Sequence, residues 1–527
     1  MQESRLSDPK ALPAGTQLAE RQMLTRNNGA EPATLDPQLA EGTPEANLTR
    51  DLFEGLVIQD AKGNIIPGVA EHWTVLDGGK TYRFDLRGDA RWSNNQPVTA
   101  QDFVYSWRRA VDPATASPYA WYLESASILN AGPISRGEMP PDLLGVKALD
   151  NLTLEVKLNT AIPYFLRMLP HATLMPVPRD VIKHWGNDWT QPSHMVSNGA
   201  FRLMSWTVNE RIILGRNPYY WDNAHTHLNE VQYLPVSSEN AALARYKAGE
   251  IDLGVGAIPI EHFKSLKRET PDQVHITGRI ATYFYEFNTR HPPLNDARVR
   301  QALNLAINRR IISDRVLGQG QIPAYTLTPN NIAGFTPHKP AWAAMPYERR
   351  VDEARKLLQE AGISAEKPLS LKLLYNTGDN HKKIALAVAS MWKKELGVQT
   401  ELVNEEWKSF LESTRHGDFD VARAGWIGDY NEASSMLGLL TSTHGANHSG
   451  YHNPAYDALL EHAQREAEPT VRNSFYQKAE NLIARDAPIA PLYQYVTARL
   501  VKPWVGGYAD ENPEDMIYSK DLYILAH

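Results

Sequence analysis

Cysteine is absent from all 527 residues. That single absence excludes disulfides, thiol nucleophiles, cysteine-ligated zinc and iron–sulfur clusters. A chain of this length can bury a full core without covalent staples. Zero cysteine also fits an oxidising compartment, where stray thiols are a hazard. Long apolar runs are missing too: none approaches the roughly 18–20 residues that a membrane-spanning helix needs. There is no excess of basic charge. The chain has 54 Lys plus Arg against 61 Asp plus Glu, a formal net charge of -7, which argues against nucleic acid as a partner. Internal repeats and low-complexity tracts are absent. The opening residues, MQESRLSDPKALPAG, lack the basic and apolar regions of a secretory signal. The chain is therefore either cytosolic or has lost its signal, with Met1 supplied in its place. With no cysteine near the start, lipid anchoring there is excluded. Residues 1–20 read as a loose leader.

The remaining composition is that of a folded protein. Apolar residues make up 42% and charged residues 22%, which excludes disorder as the main state. The 13 Trp and 23 Tyr are either core filling or a surface for a flexible or varied ligand. At roughly 150 residues per domain, the length points to about three domains.

Phe53 to Ile58 reads as a buried segment. Tyr82 to Leu86 and Leu152 to Leu158 alternate with period two and read as strands. Thr99 caps a helix through Phe103 and Trp107. Pro163, Pro170, Pro176 and Pro178 mark connectors. From about residue 280 helices alternate with strands. Asp296 caps a helix carrying Val299, Leu303, Ile307, Ile311 and Val316. Val351 to Ala361 is a helix closed by Gly362, and His381 to Leu396 one closed by Gly397. Arg472 to Ala484 is a further helix. Leu369 to Leu374, Val398 to Val403, Phe419 to Ile427 and Ile489 to Val496 are strands. This rhythm implies a mixed or parallel sheet covered on its faces.

Catalytic signatures are missing. Gly79-Lys80-Thr81 ends like a phosphate loop, but Thr74 stands where the first glycine belongs. Gly254-x-Gly256 and Gly318-x-Gly320 lack the third glycine of a dinucleotide fingerprint, and neither HExxH nor GxSxG occurs. His444, His448 and His452 have four-residue spacing, but Gly445, Gly450 and Pro454 place them in a loop. His225-x-His227 is the other close pair.

One segment has polar groups where a core strand should be apolar. In FDVARAGWIGDY, residues 419–430, one strand face carries Phe419, Val421, Arg423, Gly425, Ile427 and Asp429. An amphipathic strand with an ion pair is one reading. The spacing opposes a direct pair: six residues at about 3.3 Å each separate the two Cα atoms by roughly 20 Å. The other reading is a strand along which a short zwitterionic peptide lies. Gly425 and Gly428 would admit a second backbone, and strand addition binds main chain regardless of ligand sequence.

At these residues the chain resembles a periplasmic oligopeptide-binding protein, the solute receptor of a peptide ABC importer (solute-binding protein family 5). The resemblance runs from about Leu18 to His527. It is carried by RDLFEGL (50–56), PVTAQDFVYSWRRAVDPATASPYA (97–120), NGAFRL (198–203), LLYNTGDNHKKIA (373–385), NEEWKSFL (404–411), FDVARAGWIGDYNE (419–432) and ARLVKPWVGGY (498–508). VASMWKK (388–394), LLTSTH (439–444) and APIAPLYQY (487–495) are similar to the murein tripeptide-binding branch as well. The resemblance implies an α/β fold of the type II periplasmic-binding-protein kind, two lobes joined by a hinge, with an extra domain. Domain I would combine 1–53, 179–280 and 497–527, domain II would be 54–178, and domain III 281–496. The hinge would lie at the crossings near Ile280 and Val496. It also implies a periplasmic location with the signal peptide removed, a monomer, no cofactor and no catalysis. The partners would be peptides of about two to five residues, held as added strands, and the permease and ATPase subunits of an importer.

Carried over residue by residue, Asp429 would hold the peptide ammonium. Arg423 and His381 would meet the carboxylate end. Gly425 and Ile427 would bond the peptide main chain, with Glu41, Gly42 and Thr43 facing it. Tyr119, Trp407 and Trp426 would line side-chain pockets. Arg415 lies one residue after Thr414, which stands where an arginine that meets acidic ligand groups is usual. Ile427 and Ala281 replace cysteines, Arg279 replaces an aromatic residue, and Val255-Gly256 replace a polar pair. A murein tripeptide is the alternative ligand. A periplasmic peptide hydrolase, a haem, nickel or sugar receptor, and a chaperone for unfolded chains are the readings from other classes.

Overall fold

The computed structural model describes residues 10–527; residues 1–9 of the expected leader, which also open the 1–53 segment, lie outside the described residues. Three sheets carry the architecture. The alternation at Tyr82 becomes strand Thr81–Leu86, which buries Tyr82, Phe84 and Leu86 and exposes Arg83 and Asp85. It sits inside an antiparallel sheet between Ala70–Leu76 and Thr153–Lys157, with Val146–Ala148 at the far edge. Helix Ala100–Val111 covers it, burying Phe103, Val104 and Trp107. Thr99 is its N-cap, and the Thr99 backbone N–H donates to the Asp102 carboxylate at 2.8 Å, satisfying a donor the helix cannot.

A second sheet orders Met23–Asn27, Glu230–Leu234, Arg211–Arg216 and Phe201–Thr207, the first pair parallel and the rest antiparallel. One apolar cluster runs through both four-stranded sheets, from Leu24 through Phe84 and Trp107 to Val231.

The third sheet is mixed, one of the two arrangements that the alternation of helices and strands implies. Its order is Ile322–Pro323, Ile489–Leu500, Val274–Phe287, Val421–Ile427, Ser370–Asn376 and Gln399–Glu405. The last three pair in parallel and the others antiparallel. Alternation along Val274–Phe287 splits its side chains between two cores. Tyr283, Tyr285 and Phe287 join Trp392 and Leu373 on one face, while Phe284 joins Met436 and Tyr476 on the other. Gly362 and Gly397 adopt positive φ, 81° and 67°, just past helices Tyr347–Glu360 and Asp379–Leu396, the backbone conformation that ends a helix best without a Cβ.

The helix expected from Asp296 to Val316 is shorter. It stops at Leu305, and a separate turn runs Ile311–Leu317. Arg309 is the reason. Its guanidinium is fully buried and donates to the carbonyls of Asn304 and Ile307 at 3.2 Å and of Pro491 at 2.7 Å. Those first two carbonyls are ones a continuing helix would have used.

Val274–Phe287 and Ile489–Leu500 pair over most of their length, with a break. Gly278 sits opposite Val496, but the next partner pair is Thr282 with Gln494. The irregularity places Arg279, Ile280 and Ala281 against Tyr495. Such a bulge kinks a strand and re-aims its side chains, and here it occurs beside the cavity described below.

Trp392 is fully buried and its indole N–H donates to the Leu303 carbonyl at 2.9 Å. Trp392→Ala should therefore cost about 3–5 kcal/mol, seen as a lower urea midpoint with an unchanged slope. A loss under about 1 kcal/mol would show that this core is not cooperative with the rest.

Candidate functional site

A cavity of about 260 Å³ lies between strands of the second and third sheets and the segments around Tyr119 and His171. Glu41, Gly42 and Thr43, at the start of helix Thr43–Leu52, form one wall. Strand Val421–Ile427 presents Arg423, Gly425 and Ile427 opposite, with Asp429 just past its end. Tyr119, Pro170 and His171 close a side, and Trp407 and Trp426 flank the strand. Arg50, Arg279, Arg499, Glu514 and Asp515 make the floor.

The strand has an open edge. One side pairs with Val274–Phe287 from Val421 to Ile427, while the other pairs with Ser370–Asn376 only at Val421 and Ala422. Among the described residues, no strand covers the second edge from Arg423 to Ile427. Backbone donors and acceptors there face the cavity, and such groups seek partners. The strand faces differ slightly from the expected ones. Phe419 lies before the strand and packs with Ala422 and Phe410, whereas Val421 packs with Tyr283 and Leu373. The space expected over the two glycines is filled from within the protein. A Cβ on Gly425 would meet the Tyr495 hydroxyl at 2.6 Å, and one on Gly428 would meet Ile280 at 2.9 Å.

Arg423 is held in place. It donates to the Tyr495 hydroxyl at 2.6 Å and to the Asn376 side chain at 3.2 Å, and its guanidinium lies 4.9 Å from the Tyr283 ring centre. Its Nε has no hydrogen-bond partner. Asp429 has weaker tethers: His171 Nε2 at 3.4 Å and the Tyr119 hydroxyl at 3.5 Å. Among the described residues no lysine or arginine pairs with it. A buried carboxylate without a strong cation is poised for one.

His381 and Arg415 do not line this cavity. His381 stands behind Arg423, with Nδ1 3.2 Å from the Tyr283 hydroxyl. Burial, and then the Arg423 charge, hold its pKa well below the usual imidazole value, so it is neutral at pH 7. Arg415 lies in an outer groove and pairs with Glu41 and Glu412. Burial raises the Glu41 pKa, and Arg415 opposes that shift. Gly42 is required by close approach: a Cβ there would meet Trp407 at 2.6 Å.

A smaller cavity of about 120 Å³ opens on the other side of the same strand, between Phe284, Ala424, Trp426, Leu439, Leu440 and Trp407. Its polar lining includes Glu286, whose pKa burial pushes up to about 8 against the pull of Arg290 and Arg423. His448 Nδ1 lies 3.9 Å away, and burial, Arg415 and Arg290 push its pKa down to about 4. Glu286, His171, Tyr495, Glu514 and Asp515 were not singled out by sequence. Tyr495 has the clearest signal, as it alternates with Tyr493 in a strand that otherwise reads as core.

The family model of the bacterial extracellular solute-binding proteins, family 5 Middle, matches residues 64–448. The chain belongs to that family. It is 51% identical over 98% of its length, and 95% of the relative's, to the periplasmic oligopeptide-binding protein OppA of Salmonella typhimurium. Among solved structures of family 5 proteins, the murein tripeptide-binding protein MppA of Escherichia coli superposes with a TM-score of 0.96 at 47% identity, covering 97% of this chain and 100% of that one. MppA in its unliganded open form gives 0.67, covering 98% of this chain and 99% of that one. OppA of Haemophilus influenzae in complex with RPPGFSPFR gives 0.95 at 42% identity, covering 97% and 100%. The architecture is that of a type II periplasmic binding protein.

The raised Glu286 pKa has a pH signature. The folded state keeps a proton that the unfolded chain releases above about 4.5, so Glu286 lowers stability as pH rises toward about 8. Glu286→Gln should gain about 2–4 kcal/mol on the natural chain between pH 5 and pH 9, read from urea midpoints at both. An equal gap at the two pH values would show that Glu286 is ionised throughout.

Proposed function

We propose that this family 5 protein captures short peptides, of about two to five residues and in extended form, between two lobes in the periplasm and delivers them to an ABC-type peptide importer. The single observation that carries this is the open strand edge from Arg423 to Ile427, with a carboxylate just past one end and a guanidinium at the other. A zwitterionic peptide complements that pattern. Its main chain pairs with the free edge, its ammonium takes Asp429, and its carboxylate takes Arg423, with neutral His381 bracing Tyr283 behind. Glu41, Gly42 and Thr43 face the peptide across the cavity. Tyr119, Trp407 and Trp426 bound its side chains, where bridging water tolerates varied groups. Arg415 contributes through Glu41, as a clasp across the cavity mouth.

The lobes in this reading are 1–53 with 179–280 and 497–527, and 281–496, the extra domain being 54–178. The hinge is the pair of crossing strands at their bulge, where Gly278 and Thr282 take non-consecutive partners. The two MppA superpositions, 0.96 and 0.67, fit a family whose lobes move relative to each other, with ligand shifting the balance by its differential affinity. Binding without chemistry, a periplasmic location, a monomeric state and permease and ATPase partners complete the reading. The names of the relatives support it, being those of periplasmic binding proteins. A murein tripeptide fits less well: the Thr414 hydroxyl is tied to its own helix, donating to Phe410 at 3.1 Å, and Arg415 is already paired with two glutamates.

Calorimetric titration with tri-alanine tests the roles of the two ends. N-acetylation of the peptide, or Asp429→Ala, should cost about 2–5 kcal/mol of binding. Less than tenfold loss in either case would remove Asp429 from the ammonium role.

A further inference from the structure

The cavity floor holds more positive charge than the protein itself neutralises. Arg499 grips Asp515 with two bonds, at 2.8 and 2.9 Å. Asp515 is buried, yet Arg499 and Arg279 hold its pKa at about 2, so its single charge is committed. Arg279 lies 3.9 Å from the same carboxylate, beyond hydrogen-bond reach, with its side chain 15% exposed and its Nε unpartnered. Arg50 Nη1 is also buried without a hydrogen-bond partner, and its guanidinium lies 5.7 Å from the Tyr518 ring centre. The other acid of the floor, Glu514, is pushed up to about 7 by burial and by Asp429, which weakens its negative charge near neutral pH. Two guanidinium groups therefore face one cavity with donors unspent, and buried groups of this kind call for an anion. An arginine fork pairs with a carboxylate through two parallel hydrogen bonds.

The location within the cavity follows from the strand register. Ala281 pairs with Ile427, and the Gly428 N–H donates to the Ile280 carbonyl at 2.8 Å. The next residues on the two chains are Arg279 and Asp429. The register thus sets Arg279 across from Asp429, the carboxylate assigned to the peptide ammonium, and both residues line the cavity. We infer that Arg279, supported by Arg50, forms an anion subsite that selects peptides whose first residue carries an acidic side chain. This rests on the peptide reading above. A basic first side chain meets like charge in the same place, so the subsite discriminates by repulsion as well as attraction.

Isothermal titration of the full chain with Glu-Ala-Ala, Ala-Ala-Ala, Lys-Ala-Ala and Ala-Glu-Ala decides the matter. Glu-Ala-Ala should bind about tenfold tighter than Ala-Ala-Ala, with Lys-Ala-Ala weakest. In Arg279→Met the ratio between Glu-Ala-Ala and Ala-Ala-Ala should collapse toward one, and in Arg279→Lys part of it should return. If Arg279→Met does not fold, the ranking on the natural chain still decides. Equal affinity for Glu-Ala-Ala and Lys-Ala-Ala would overturn the subsite while leaving the peptide reading standing. A preference for Ala-Glu-Ala would overturn its assignment to the first residue. No binding of any of the four would overturn the peptide reading itself, and this inference with it.

Discussion

The structure depends on one backbone ladder. Val274–Phe287 pairs with Ile489–Leu500 on one edge and with Val421–Ile427 on the other. Cut that ladder and the sheet of the later half loses its centre, along with the apolar clusters on both its faces. The same ladder leaves the outer edge of Val421–Ile427 open beyond Ala422. It also carries the irregularity that turns Arg279 and Tyr495 toward the cavity. Stability and site thus come from the same two strands. The close pairing fixes where the cavity is, and the break in pairing fixes what lines it.

Charge in that cavity is arranged by burial more than by pairing. Arg423 is held by neutral tyrosine and asparagine groups, so its charge stays available to a ligand. Asp429 is contacted by a histidine and a phenol and by no strong cation among the described residues. Glu514 and Glu286, pushed toward neutrality by desolvation, surround the working charges without cancelling them. A protein that formed all its own salt bridges here would have little to offer a zwitterion.

The elements of the later half were legible because their signals are local. Gly362 and Gly397 end helices through their own backbone conformation, Thr99 starts one, and alternation at Tyr82 needs no distant partner. The helix through Asp296 was read too long because its stop is not local. Arg309 takes the last carbonyls only when strand Ile489–Leu500 brings Pro491 within reach. The site was partly legible for the same reason. Arg423, Gly425, Ile427 and Asp429 lie on one short strand, so period two alone groups them. His171 comes from a proline-marked connector, and Arg499 and Asp515 from near the C-terminus. No pattern along the chain announces that they meet.

By itself the sequence determined that cysteine chemistry is excluded, that the later half alternates helices with strands of a mixed or parallel sheet, and that one strand carries opposite charges along one face. It also carried a family resemblance specific enough to name the groups that would touch a peptide. The tertiary structure decided which of those groups reach the cavity. His381 falls behind Arg423, and Arg415 turns outward to Glu41. The space over Gly425 goes to the Tyr495 hydroxyl. It also decided that Arg279 and Arg50 share a floor with a single committed carboxylate. The physical reason is that ionisation and hydrogen bonding depend on distance and burial. Those are set by the packing of segments hundreds of residues apart, such as Arg50, Arg279 and Asp515, and not by their spacing along the chain.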